Sequence, residues 1–190
     1  MQRFIIAAAL VAALAAGGAA HAADKLPAGT VITGQVSGVT ATLLGLDHDF
    51  ADEAGSHVTT LAAADLEFLS GDAAVGIDFF TNGEVQVWNN SGALSLPGQY
   101  QFTFSFAGLA SPLASFQPLD VTGMTGGTLS LQVLSDNSIR LTLTDAQFAT
   151  EFGQVSAQLN VSAVPESGTL LMMAAGLGLV AGLRRARRRA

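Results

Sequence analysis

Along residues 99–107, QYQFTFSFA, apolar and polar side chains alternate without a break. Tyr100, Phe102, Phe104 and Phe106 face one way, and Gln101, Thr103 and Ser105 the other, because successive strand side chains leave on opposite faces. Such a segment is a half-buried β-strand. Val155, Ala157, Leu159, Val161 and Ala163 repeat the pattern near the end. Clusters of Gly, Ser, Asn and Asp separate these runs at short intervals, as in sandwiches and barrels. The pattern predicts an all-β protein, an antiparallel β-sandwich of jelly-roll or immunoglobulin-like type over residues 23–163. The stretch 58–70, VTTLAAADLEFLS, fits either a short helix or strand.

Two hairpins can be registered from the pattern. Around 75–89, a two-residue Asn82-Gly83 loop would pair Ile77 with Trp88 and mix the faces. A three-residue loop, Thr81-Asn82-Gly83, pairs Phe79 with Val85 and Ile77 with Val87, with Gly83 in a left-handed bulge position. The second choice keeps one face apolar. It places Asp78, Phe80, Glu84, Gln86 and Trp88 together on the opposite face. Around 129–143, the same argument favours a three-residue loop, Ser135-Asp136-Asn137. That loop sets Val133 opposite Ile139 and Leu131 opposite Leu141, and it needs a left-handed Asn137.

Charge divides the chain. The formal net charge is −7, but five of the eight basic residues are Arg184, Arg185, Arg187, Arg188 and Arg189. Only Lys25 and Arg140 lie between residues 23 and 163, a segment that holds every acidic residue except Glu166. Such a body repels nucleic acid, whose phosphates require clustered Lys or Arg. There is no cysteine, which removes disulfides, thiolate metal sites and cysteine catalysis together.

The N-terminus has the layout of a signal peptide, residues 1–22. Arg3 supplies the basic start, residues 4–14 are apolar, and Ala20 and Ala22 are the small residues at −3 and −1 of a cut before Ala23. At the other end, VPES at 164–167 precedes an apolar stretch, 168–183, and the arginine-rich tail, 184–190. As a helix, the apolar stretch rises about 24 Å, short of the roughly 30 Å hydrocarbon core. Snorkelling arginines close that gap and hold the tail on the cytoplasmic side, with the acidic body outside. Gly178 and Gly182 form a GxxxG pair of the kind found in helix dimers; the favoured alternative is that glycine is simply tolerated in membrane helices.

Turn motif, short span, basic tail and stop, in that order, resemble the PEP-CTERM sorting domain of exosortase substrates. Val164, Pro165 and Glu166 match the motif, and Ser167 stands where the family has a second proline. The resemblance covers the C-terminal segment alone. It implies export in a Gram-negative bacterium, an inner-membrane-anchored intermediate and processing by an exosortase near Pro165-Glu166. It further implies a cell-surface or extracellular destination linked to exopolysaccharide, biofilm or floc.

Chemistry in the body is sparse. No G-x-S-x-G, H-E-x-x-H or phosphate-binding glycine loop occurs. A secreted nucleophile–His–Asp hydrolase would use His48 or His57, whereas a pair of glycosidase carboxylates is set by spatial spacing that the sequence does not show. The densest polar cluster is DHDFADE, where Asp47, Asp49, Asp52 and Glu53 are candidate oxygen ligands for Ca²⁺; the alternative is a solvated acidic loop. Trp88 beside Asp78, Phe80 and Gln86 resembles a sugar-stacking platform; the alternative is packing over Gly76, its expected cross-strand neighbour. The expectation is therefore a non-enzymatic surface or matrix protein without a cofactor. A carbohydrate-binding module, Ca²⁺-assisted or not, is the second reading.

Overall fold

The computed structural model describes residues 25–62, 65–162 and Gly176. The leader with Ala20, Ala22 and Ala23 lies outside the described residues. So do the motif Val164–Ser167, the span 168–183 apart from Gly176, and the arginines Arg184, Arg185, Arg187, Arg188 and Arg189. Among the described residues, no helix is long and apolar enough to cross a membrane.

The described residues form eleven strands in two antiparallel sheets. The strands are β1 (Val31–Gly38), β2 (Leu43–Gly45), β3 (Val58–Thr60), β4 (Phe68–Ser70), β5 (Val75–Phe79) and β6 (Glu84–Asn89). They continue with β7 (Ser95–Ala107), β8 (Leu113–Asp120), β9 (Met124–Ser135), β10 (Ser138–Phe148) and β11 (Gln154–Val161). The first sheet runs β3-β1-β7-β10-β9 and the second β2-β4-β5-β6-β11-β8. A single 3₁₀ turn, Leu46–His48, follows β2.

The alternation in β7 does what its period requires. Phe102, Phe104 and Phe106 are fully or almost fully buried, and Thr103 and Ser105 point to the other side. The second sheet meets them with Phe68 and Phe79. Phe104 lies 5.0 Å from Phe79 and 5.3 Å from Phe68, ring centre to ring centre, so aromatic contacts bridge the two layers. Gly34 makes the packing possible: a Cβ there would strike the Phe104 ring at 2.9 Å and collide with Leu43 of the second sheet. The result is one shared core between two face-packed sheets, a β-sandwich.

The β5–β6 hairpin has the register that the apolar pattern predicts: Phe79 opposite Val85, Ile77 opposite Val87 and Gly76 opposite Trp88. The Phe80 N–H donates to the Glu84 carbonyl at 2.9 Å and closes the Thr81-Asn82-Gly83 loop. Gly83 is left-handed, with φ +82°, and a Cβ there would also meet the Leu159 carbonyl at 2.6 Å. Glycine is needed on both counts.

The β9–β10 hairpin requires a correction. Val133 does face Ile139, and Leu131 does face Leu141. The turn, however, is the tight one, with Ser135 opposite Ser138, and the extra residue is absorbed by a register shift at Leu134. Asn137 is not left-handed. Core pairing set the register, and the strand rather than the loop took up the mismatch. The ambiguous stretch 58–70 resolves into β3 and β4, one in each sheet, with no helix among its described residues.

Candidate functional site

The outer face of the second sheet collects the expected aromatic and polar groups. Asp78 and Gln86 are cross-strand partners, and Trp88 stands beside Gly76. Trp88 is 37 % exposed, so it is neither a core residue nor a free platform. Leu66, from the loop before β4, covers Gly76: a Cβ there would meet its methyls at 3.3 and 3.4 Å. Phe80, Asp78 and Gln86 are half-buried. The expected open face is therefore partly roofed by the connection between β3 and β4.

That roof brings in a residue the sequence reading missed. Glu67 is fully buried. Its carboxyl accepts the Phe79 N–H at 2.7 Å and the Ala62 N–H at 3.0 Å, tying the loop to β5. The β4–β5 pairing sets Phe68 opposite Ile77, and one step further sets Glu67 opposite Asp78. Two like charges so placed repel strongly unless one takes a proton. Burial pushes Glu67 up to about 8, against the help of its two N–H donors, and Asp78 adds to the rise. Asp78 is also raised, by burial first and by the nearby Asp65 and Glu84 charges. Burial beside a second carboxyl thus favours the protonated form of Glu67 at neutral pH. The sequence signal was present but weak: a lone acid next to Phe68, in a segment whose period did not decide between helix and strand.

The acidic loop does not gather. Asp47 is exposed and accepts from the Thr60 N–H and hydroxyl, each at 2.9 Å. Glu53 pairs with His48 at 2.6 Å, while Asp49 and Asp52 are exposed. No three acids or histidines among the described residues converge as metal ligands, so Asp47, Asp49, Asp52 and Glu53 do not form the expected Ca²⁺ set. The reason is local. The 3₁₀ turn and the left-handed Asp49 and Phe50 splay successive side chains apart. An open groove of about 640 Å³ touches Asp52, Glu53 and His57. The hydroxyl beside it, on Ser56, is buried and donates to the Leu43 carbonyl.

A further, part-buried network, Tyr100 to Asp72 at 2.7 Å and Ser70 to Asp72 at 2.6 Å, spans the two sheets. Burial opposes the charge on Asp72. The hydrogen bonds from Ser70, Tyr100 and the Ala74 N–H outweigh it and hold Asp72 below the usual carboxylate range. Asn89 is buried and donates to the Ala93 carbonyl at 2.6 Å.

Comparison with known proteins adds no relative: no family model, no curated protein and no solved structure matches the chain. What the fold defines is a class, an all-β protein of two antiparallel sheets.

Proposed function

We propose that this chain is an exported, non-enzymatic surface or extracellular-matrix protein of a Gram-negative bacterium, sorted and processed by an exosortase. The observation that carries the proposal is the C-terminal order of Val164-Pro165-Glu166-Ser167, apolar stretch and arginine cluster, combined with the signal-like N-terminus. The tail acts as a temporary inner-membrane anchor. Cleavage near Pro165-Glu166 then frees the body for the cell surface or the medium, in connection with exopolysaccharide or biofilm. Pro165 and Gly168 support this role, since they disfavour helix just before the span and leave backbone open to a peptidase. The Ser56 hydroxyl is engaged by the Leu43 carbonyl and the His48 Nδ1 by Glu53, which supports the non-enzymatic reading. Frequent crossing of the chain between layers supports jelly-roll-like over immunoglobulin-like wiring.

Mass spectrometry of extracellular protein from an exosortase-containing host tests the sorting. The expected chain starts near Ala23 and lacks Arg184–Arg189. Pro165→Ala with Glu166→Ala should leave the protein in the inner membrane with its tail intact. Recovery of only full-length, membrane-bound wild type would instead fit a plain tail-anchored protein.

One observation favours a second reading, a carbohydrate-binding module: Trp88 keeps over a third of its surface exposed, opposite Gln154 on β11. On that reading, Trp88→Ala should weaken retention on the host's polysaccharide by roughly 1–3 kcal/mol, the scale of stacking on flat ligands. Unchanged retention in a pull-down leaves the matrix role alone.

A further inference from the structure

Four strands end the two sheets, and three of them are protected. β2 and β3 have three residues each. β8 carries Pro118, which has no N–H to offer, together with Asp120 and two register breaks. β9 shares only the last of these devices, and only towards its ends, where its register with β10 shifts at Leu134 and around Gly126. It runs for twelve residues, MTGGTLSLQVLS, with no charge and no proline. Past the irregularity at Gly126, its pairing with β10 is regular from Thr128 to Val133. Among the described residues, its outward backbone groups between Thr125 and Leu134 have no other backbone partner. Long, flat, uncharged edges of this kind are templates for another strand.

The side chains point the same way. Leu129, Leu131 and Val133 face the core but are only partly buried, because the sandwich stops at β9. Nearby Val121 and Leu134 are exposed, and a groove of about 400 Å³ runs along Val121, Met124 and Leu129. The spacing of Leu129, Leu131 and Val133 is symmetric about Leu131, so the edge is complementary to a second copy of itself. The body carries nearly all the acids of the chain, so two copies repel across most of their surfaces. Along β9 they meet without opposing carboxylates.

We propose that β9 pairs antiparallel with β9 of a second copy, about a two-fold axis at Leu131. Among registers that keep apolar side chains on the core side, this one matches all three. Leu131 faces its own symmetry mate, and Leu129 faces the partner's Val133. On the outer side, Ser130 faces the partner's Gln132. The two five-stranded sheets become one sheet of ten strands, and the open end of each core is covered.

The absence of native cysteine provides a clean probe. Directly opposed residues in an antiparallel pair have Cα atoms about 4.5–5.5 Å apart, within disulfide reach. Purified full-length protein in detergent, carrying Leu131→Cys, should oxidise to a disulfide-linked dimer. Thr103→Cys, in the middle of the first sheet's outer face, should not. Adding Ser130→Lys and Gln132→Lys to Leu131→Cys should slow cross-linking at least tenfold while leaving the circular dichroism unchanged. Mixing that variant with one carrying Ser130→Asp, Gln132→Asp and Leu131→Cys should restore the cross-link between unlike chains. The proposal fails if Leu131→Cys cross-links no faster than Thr103→Cys, or if the Lys variant cross-links as fast as its parent. The latter result would put any self-association elsewhere, such as Gly178 and Gly182 in the tail. If the Lys variant does not fold, the comparison of the two single-cysteine proteins still decides. None of these outcomes depends on exosortase processing.

Discussion

The two outer faces of the sandwich come from the same alternating pattern and end in different chemistry. On the first sheet, the outward rows are Thr33, Ser105 and Ser138; Gln35, Thr103, Arg140 and Gln132; then Ser37, Gln101, Thr142 and Ser130. Arg140 is the one charge in these rows, whose residues are exposed or half-buried. On the second sheet, the outward row centres on Asp78 and Gln86, and the β3–β4 connection folds over it. There the same kind of polar position has become a buried carboxylic acid, Glu67, held by two backbone N–H groups. A polar outward position is inexpensive while water can reach it. Once covered, it must find partners or lose its charge.

The sharpest test of this difference is Glu67→Ala. It leaves the Ala62 and Phe79 N–H groups without their acceptor, a loss of about 2–6 kcal/mol in urea unfolding at roughly 1–3 kcal/mol for each. Thr103→Ala, at a comparable outward position of the first sheet, should change stability by less than about 0.5 kcal/mol. Equal losses would break the comparison.

A pH series separates the faces without removing a contact. Glu67 is raised from an ordinary 4.5 to about 8 in the folded protein. Between those values the folded chain binds more protons than the unfolded one, so stability falls as pH rises. The contribution is complete below pH 4.5 and is lost as pH passes about 8; Asp78 acts in the same direction. Asp72 and Asp120 are lowered, so their contributions vanish only as the pH falls into the acid range. The melting temperature should therefore drop between pH 5 and 8.5 by at least about 3 °C, near the shift that 1 kcal/mol produces in a domain of this size. Glu67→Gln should flatten most of that slope. A wild-type profile that is already flat would show that Glu67 is not held neutral.

Trp88→Ala should fall between the faces' extremes, at about 1–2 kcal/mol in thermal melts. A fully buried aromatic would cost about 3–5 kcal/mol, and Trp88 keeps over a third of its surface in water. A loss in the upper range would make Trp88 a core residue and remove the glycan reading. The smallest effect is expected at Arg140→Gln. The Nε of Arg140 is buried without a hydrogen-bond partner, so its loss should shift stability by no more than about 0.5 kcal/mol in either direction.

Much of the fold was legible because period-two patterning and core burial speak the same language. Tyr100, Phe102, Phe104 and Phe106 named their own inner face. The apolar pairs of both hairpins named their registers, since a one-residue slip would turn every side chain over. The loop chemistry was legible at Gly83, where a left-handed bulge leaves little choice of residue. It was misread at Asn137, because a turn's sequence preferences are weaker than the strand pairing next to it.

The candidate sites divide along the same line. Pro165-Glu166 and the arginine cluster are contiguous, so the sequence alone carries the sorting proposal. The acidic loop looked like a metal site because its acids are close in sequence, yet ligands must converge in space, and a short turn with left-handed residues disperses them. The Glu67–Asp78 pair lies eleven positions apart in the chain, and the exposed edge of β9 depends on which strand ends the sheet. Alternation states which side of a strand is apolar. It does not state what covers the polar side or which strand is last, because both follow from long-range pairing, and that is decided when the two sheets close on Phe68, Phe79 and Phe104.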